Sequence, residues 1–185
     1  MFLKTLIACI IFFSFISKIQ ANEKQSIINY LSNINNFTFN FKQTTNEKIE
    51  NGNCILAFDN KLKCFYNDKL QKEIIINNKT LVILQKRYNK KYFYPISKSP
   101  FLNILSKDRL INLIKNSDII LKENIELTYV DENQRKIKVF FEKENYKLIG
   151  WLVEDQLQNK IYFSLKINEI NIKIDNKDFK IPSPN

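Results

Sequence analysis

The chain has 185 residues, 44% of them hydrophobic, with 29 basic against 19 acidic side chains, a formal net charge of +10 and no histidine. Without histidine the commonest general base, the usual activator of a nucleophile and the main zinc ligand are all missing. Gly52 and Gly150 are the sole glycines, which excludes a glycine-rich phosphate loop, and the length suits one domain.

Residues 1–21 begin with Lys4, continue through an apolar run from Leu6 to Ile16 interrupted at Ser14, and close on Ile19-Gln20-Ala21. A basic start, a short apolar core and a small residue before the mature part make an export signal, whereas a membrane-spanning helix needs about 20 apolar residues. The expected arrangement is a signal peptide over 1–21, cut after Ala21, and a single domain over 22–185 that works in the periplasm. Leu6-Ile7-Ala8-Cys9 is similar to a lipidation box, but most of the apolar core follows Cys9, so an acyl anchor is not expected. Removing 1–21 takes away Lys4 and Lys18, leaving 27 basic against 19 acidic groups, a net charge of +8. The lysines are scattered and arginine occurs at Arg87, Arg109 and Arg135 alone. This reads as a solvated basic surface, and no nucleic-acid partner is expected.

Within residues 22–36, Ile27, Ile28, Leu31 and Ile34 recur at helical spacing, on a segment too short to be stable without a docking surface. Phe37, Phe39 and Phe41 then alternate with Thr38, Asn40 and Lys42, the period of a half-buried strand. Short strand-like runs follow over 53–58, 62–66, 73–76, 80–85 and 91–94, the pattern of an antiparallel meander. Ser99-Pro100 supplies an N-cap and a first helical residue for a segment carrying Phe101, Leu102, Ile104 and Leu105. Ser106 caps a further helix with Leu110, Ile111, Leu113 and Ile114, ending near Asn116. Strands return over 125–130, 136–141, 146–153, 160–167 and 170–174, and with so little glycine, Asn and Asp must take the turn conformations. About ten strands and two or three short helices predict an α+β fold, one strongly curved antiparallel sheet, an incomplete β-barrel, with a lid of short helices over an apolar cavity.

Adjacent acids such as Glu154-Asp155 and Asp131-Glu132 would point to opposite faces of a strand, so neither forms an acid/base pair. The expectation is a non-enzyme, with no metal site. With a turn at Asp59, Cys54 and Cys64 face each other across neighbouring strands, where Cβ atoms lie about 4.5–5.5 Å apart against about 3.8 Å in a disulfide. The oxidising compartment favours the bond; two free buried thiols are the other reading. The fifteen Phe and eight Tyr suit an aromatic core, and on a curved sheet under a movable lid they also suit a cavity for hydrocarbon chains.

Taken in order, several segments resemble the periplasmic outer-membrane lipoprotein carrier family, LolA. These are Phe37-x-x-x-Phe41-x-Gln43, Gly52 opening a strand, the hairpin ending at Tyr66, Asn78-Lys79-Thr80-Leu81, and Ser99-Pro100-Phe101-Leu102-Asn103-Ile104-Leu105. The last is Ile174-Asp175-x-x-x-Phe179-x-Ile181-Pro182, so the resemblance covers essentially all of 22–185. It implies a helix-covered half-barrel whose cavity receives lipoprotein acyl chains, needing no cofactor. Acylated lipoproteins would be the cargo, an inner-membrane ABC-type complex the donor and an outer-membrane lipoprotein acceptor the recipient, with the carrier a monomer. One departure is that the family hairpin commonly reads Arg-Pro, and its arginine holds the lid; counting from Gly52, those positions hold Phe58 and Asp59. Lys61 lies near but lacks the planar fork of guanidinium, so lid control is expected to differ or to rest on Phe58.

The lipid-binding residues expected on the concave face are Phe39, Phe41, Leu56, Phe58, Leu62 and Tyr66, with Leu31, Ile34, Phe101 and Leu105 contributed by the lid. Two further readings stand beside the carrier. One is a periplasmic lipid-sensing or regulatory binding protein of the same fold; the other is a binder of free lipid or a degenerate enzyme.

Overall fold

The computed structural model describes residues 22–58, 60–98, 102–131, 134–154 and 159–183, with the backbone alone at Leu102 and Asn103. The expected signal over 1–21, and Asp59, Ser99, Pro100 and Phe101, lie outside the described residues. A first helix, α1 (residues 22–32), turns Ile27 and Leu31 inward. It leads into β1 (Asn36–Thr45), where Phe37, Phe39 and Phe41 are buried and Asn40 and Lys42 face solvent, as a period of two requires. A meander follows through β2 (Lys48–Ala57), β3 (Lys61–Tyr66), β4 (Lys72–Asn77), β5 (Thr80–Gln85) and β6 (Lys90–Pro95). Next come α2 (Leu102–Leu105) and α3 (Lys107–Asn116), where Ser106 caps α3 by accepting from the Arg109 amide. The chain ends its sheet with β7 (Asp118–Leu121), β8 (Ile125–Val130), β9 (Lys136–Phe141), β10 (Leu148–Glu154) and β11 (Lys160–Ile170).

All eleven strands form one antiparallel sheet in the order β6-β5-β4-β3-β2-β1-β11-β10-β9-β8-β7. Because β1 pairs with β11, the ends of the sheet-forming chain meet at the centre, and β6 and β7 are left as open edges. The chain passes from β6 to β7 through residues 96–117, whose described part includes α2 and α3. These helices lie on the concave face, where α3 packs on β8 and buries Leu110, Leu113 and Ile114. Register shifts between Thr38 and Phe39 against β11, and between Leu148 and Gly150 against β9, add the local bending that bulges give a sheet.

Several tight turns are made by Asn: Asn46, Asn60, Asn78, Asn89 and Asn171 all hold positive φ, between 49° and 66°. Asn reaches the left-handed region at lower cost than other side chains, which is how a chain with two glycines turns so often. From Asn171 the chain crosses the convex face, where a 3-10 turn, Asn176–Phe179, packs against β3 and β4 with Phe179 fully buried. The Asn77 side-chain amide donates to the Phe179 carbonyl at 3.1 Å. Ile75 and Val82, which point away from the concave side, are buried on that face.

Cys54 and Cys64 are bonded, with Cα atoms 4.1 Å apart in directly opposed positions of β2 and β3. Replacing both with alanine is expected to cost about 2.5 kcal/mol by the loop-entropy account of a ten-residue loop. Urea unfolding of the double variant measures this, and a change under about 0.5 kcal/mol would show that the strand pairing already restrains the loop.

The structure departs from the sequence-based expectation in five places, one of them β10, which starts at Leu148 rather than at 146 because Tyr146 holds the positive φ of a turn. The first helix stops at residue 32, not 36, because Asn36 already belongs to β1. Strand β2 begins at Lys48, five residues early, carried by its pairing with β1. The short edge strand β7 has too few residues to show a period, and its pairing with β8 is what defines it. Finally, 160–167 and 170–174 are not two strands: β11 runs unbroken to Ile170 through the register shift at Asn168, and 171–175 leave the sheet.

Candidate functional site

Between α2 and the β3–β5 half of the sheet lies an apolar cavity of about 40 Å³. Phe39, Leu56, Leu62, Cys64 and Tyr66 line it from β1 to β3, and Ile74, Ile76 and Leu81 from β4 and β5. Ile104 and Leu105 roof it from α2, and Trp151 and Phe163 close the side toward β10 and β11. A row of rings backs this wall. Tyr66 meets Phe41 edge-on at 4.8 Å between centroids, Phe41 stacks on Phe163 at 4.7 Å, and Phe163 stacks on Trp151 at 4.4 Å. Gly52 makes room for it, since a Cβ there would stand 2.7 Å from the Phe41 ring.

Beyond Tyr66 the concave face turns polar. The Tyr66 hydroxyl donates to Gln43 Oε1 at 2.9 Å, and the Lys72 ammonium sits 3.7 Å over the Tyr66 ring while pairing with Glu50 at 2.6 Å. Burial first, then the charges of Glu50 and Asp68, push the Tyr66 phenol above its usual range, so it stays a neutral donor. Burial works to raise the Glu50 carboxyl, but hydrogen bonds and charge from Lys72 and Lys48 outweigh it and hold the group below its usual value. Glu126 is lowered as well, chiefly by its hydrogen bond from Lys138. A depressed carboxyl contributes stability that is whole above its unfolded pKa, about 4.3, and lost as pH falls through the folded value. Thermal stability is therefore expected to be level from pH 5 to 7 for these groups and to decline below about pH 4.3. A Lys72→Met variant scanned beside the parent should show a weaker decline, and an identical one would remove Glu50 from the account.

Lys24 of α1 donates to the carbonyls of Lys115 and Ser117 at the C-terminal end of α3, at 3.1 and 2.6 Å. Lys107, the first residue of α3, reaches the Ser32 carbonyl and Asn35 Oδ1 beyond α1, each at 3.4 Å. The two helices thus run antiparallel, each placing a lysine on the other's carbonyl end, where the helix dipole favours a cation. Lys107 also stands 5.3 Å over the Phe58 ring, and the Asn60 amide donates to the Leu105 carbonyl at 3.3 Å. Phe58, directly after the β2–β3 hairpin's first strand, therefore meets a cation that comes from α3.

Of the residues expected to bind lipid, Phe39, Leu56, Leu62, Tyr66 and Leu105 line the cavity. Leu31, Ile34, Phe41 and Phe58 are buried in the surrounding core without lining it, and Phe101 lies outside the described residues. Sequence reasoning did not name Ile74, Ile76, Leu81, Ile104, Trp151 and Phe163. Apart from Ile104, which lies on α2, their alternation on strands was visible, but which distant strand comes to face α2 depends on the curvature of the sheet.

An open antiparallel half-barrel with helices across its concave face and a hydrocarbon-lined cavity between them defines a class of binding and carrier folds. The chain belongs to the LolA family: residues 32–182 match the outer membrane lipoprotein carrier protein LolA. Among solved structures it is similar to the Mycobacterium tuberculosis lipoprotein LppX, at 10% identity and a TM-score of 0.50, over 85% of this chain and 98% of that one. It is similar to MucB at 11% identity and a TM-score of 0.53, over 88% of this chain and 64% of MucB. An uncharacterised conserved protein of Thermus thermophilus gives 8% identity and a TM-score of 0.52, over 85% of this chain and 93% of that one. At these identities the likeness is one of fold. No curated protein sequence matches the chain at a significant level.

Proposed function

We infer that the protein is a periplasmic carrier that takes the acyl chains of lipoproteins into this cavity and moves them from the inner to the outer membrane. The observation that carries this reading is an apolar cavity roofed by the short helix α2, in a chain of the lipoprotein-carrier family. Each buried CH₂ is worth about 0.8 kcal/mol, so a long acyl chain supplies ample drive. The cavity as folded has room for only a few water-sized spheres, each of about 10–15 Å³. Loading therefore requires α2 and α3 to move away from the sheet. That motion exposes Ile104, Leu105 and the α3 stripe, and its cost offsets part of the gain, leaving a carrier able to release. Donation by an inner-membrane ABC-type complex and delivery to an outer-membrane acceptor follow from the same reading.

Lys107 and Phe58 set how readily the lid opens. Lys107→Ala is expected to speed uptake of a fluorescent acyl probe several-fold with little change in global stability; an exposed cation over a ring is worth about 0.5–1 kcal/mol. Unchanged exchange in both Lys107→Ala and Phe58→Leu would remove this contact from lid control. The carrier reading itself is tested by native mass spectrometry of the protein isolated from the periplasm. Intact acylated protein bound to it is expected. Free lipid alone would instead indicate lipid transport. A second reading, a regulatory binding protein, is favoured by the likeness to MucB, for which a complex with MucA is known. Co-isolation of an unacylated protein would support it against the carrier.

A further inference from the structure

The open edge of the sheet at β6 has a composition that packing does not explain. Of the ten large apolar or aromatic side chains exposed among the described residues, four fall within residues 88–94: Tyr88 at 56%, Tyr92 at 38%, Phe93 at 37% and Tyr94 at 48%. Lys86, Arg87, Lys90 and Lys91 are interleaved with them, and residues 86–95 contain no acid; Lys86 pairs with Glu73 and the Lys91 ammonium donates to the Ser183 carbonyl, so the charge the edge presents outward is carried chiefly by Arg87 and Lys90. Register fixes where the rings point. Tyr94 is opposite Leu81 and Tyr92 opposite Ile83, and since Leu81 lines the cavity, both tyrosines lie on the concave side at its rim. Phe93, opposite the buried Val82, projects from the convex side. Apolar surface is thus presented by the edge itself, from both faces, in line with the cavity.

We propose that this edge is a docking surface for an anionic lipid bilayer, with the Tyr and Phe rings seated among headgroups and Arg87 and Lys90 on their charges. The proposal rests on the carrier reading and specifies how the cavity is presented to a membrane. Tyrosine suits the membrane–water interface because its ring is apolar and its hydroxyl stays wet. Cationic side chains near an anionic leaflet add about 1 kcal/mol each. A second strand added to β6 is the competing occupant, and the edge is poorly made for it: Lys90, Lys91 and Pro95 are the residues that blunt strand edges. A flat protein partner would use one face, whereas these rings stand on two. The backbone groups of an edge strand cannot enter hydrocarbon unpaired, which limits docking to headgroup depth. At that depth the cavity rim at Leu81 and Tyr94 is brought to the lipid surface, and an acyl chain passing between them crosses little water.

The test uses the full chain, so that any contribution of residues 1–21 is common to all variants. Sedimentation is measured with vesicles of equal parts phosphatidylcholine and phosphatidylglycerol, and with phosphatidylcholine alone. The wild type should favour the mixed vesicles by roughly tenfold or more, an advantage that shrinks with added salt. Arg87→Glu/Lys90→Glu should abolish that preference, and Tyr92→Ser/Tyr94→Ser should weaken binding to both kinds of vesicle. Lys42→Glu/Lys166→Glu makes the same charge change on the solvent-exposed side of β1 and β11 and should leave binding nearly unchanged. Equal loss in that control would assign binding to net charge and overturn the edge site, as would equal binding of wild type and edge variants. Uptake of a soluble acyl probe is measured in parallel: normal uptake with no vesicle binding defeats the docking surface alone, whereas absent uptake defeats the carrier reading.

Discussion

Phe163→Ala is expected to lower the free energy of unfolding by about 4 kcal/mol, the middle of the range for deleting a buried aromatic ring. Phe163 is 3% exposed, stacked on Trp151 on one side and on Phe41 on the other, with Phe39 edge-on at 6.3 Å. Both stacking partners are held in turn, so the site can collapse little and most of the void should persist. In a domain of this size such a loss lowers Tm by roughly 8–16 °C. The same deletion has a second consequence, because Phe163 lines the cavity and its void adds to the space already there. An acyl probe should consequently raise the Tm of Phe163→Ala more than that of the wild type, since a ligand of the native state stabilises by mass action. Thermal scans with and without probe read both effects. A loss under about 1 kcal/mol would show that the ring row repacks, and an equal probe shift would show that the new space is not continuous with the cavity under α2.

Gly52→Ala is the second large effect, expected near 3 kcal/mol, the upper part of the usual range for overpacking. The added carbon would stand 2.7 Å from the Phe41 ring and press on the Phe65 carbonyl of the neighbouring strand. Backbone cannot give way without parting β2 from β3. Neither can Phe41 turn aside freely, between Tyr66 and Phe163. Phe41→Leu removes one of the two obstacles, so the two substitutions together should cost at least about 0.5 kcal/mol less than the sum of the singles. Strict additivity in urea denaturation would place the whole clash on the Phe65 carbonyl. A Gly52→Ala variant as stable as the parent would mean that the aromatic row does not need the gap.

Much of this architecture is written locally. The alternation of Phe37, Phe39 and Phe41, the ten-residue spacing of Cys54 and Cys64 about one turn, and Ser106 ahead of an apolar stripe each state a structure within a few residues. The disulfide pairing and the α3 cap stand in the fold where those patterns place them. Patterns fail where a neighbour in space decides. Asp118–Leu121 is a strand because β8 lies beside it, and residues 171–174, apolar enough for a strand, leave the sheet at Asn171 to run across its convex face.

Among the candidate site residues the same division holds. Leu56, Leu62 and Tyr66 could be put on one face by counting, and they line the cavity, as do Phe39 and Leu105. Counting could not separate them from Phe41 and Phe58, which share that face but are covered, one by stacked rings and the other by Phe37 and Lys107.

By itself the sequence determined the class of fold, the family segments in their order, the cysteine pair and the lack of a histidine-based catalytic centre, because each depends on residue identity and short-range periodicity. The tertiary structure alone decided which half of the sheet carries the cavity, that Trp151 and Phe163 from the chain's last third close it, and that Lys107 meets Phe58 in the lid. Those contacts join residues far apart in the chain, and their geometry follows from the curvature of eleven paired strands and the path of α2 and α3 across them, which no local pattern encodes.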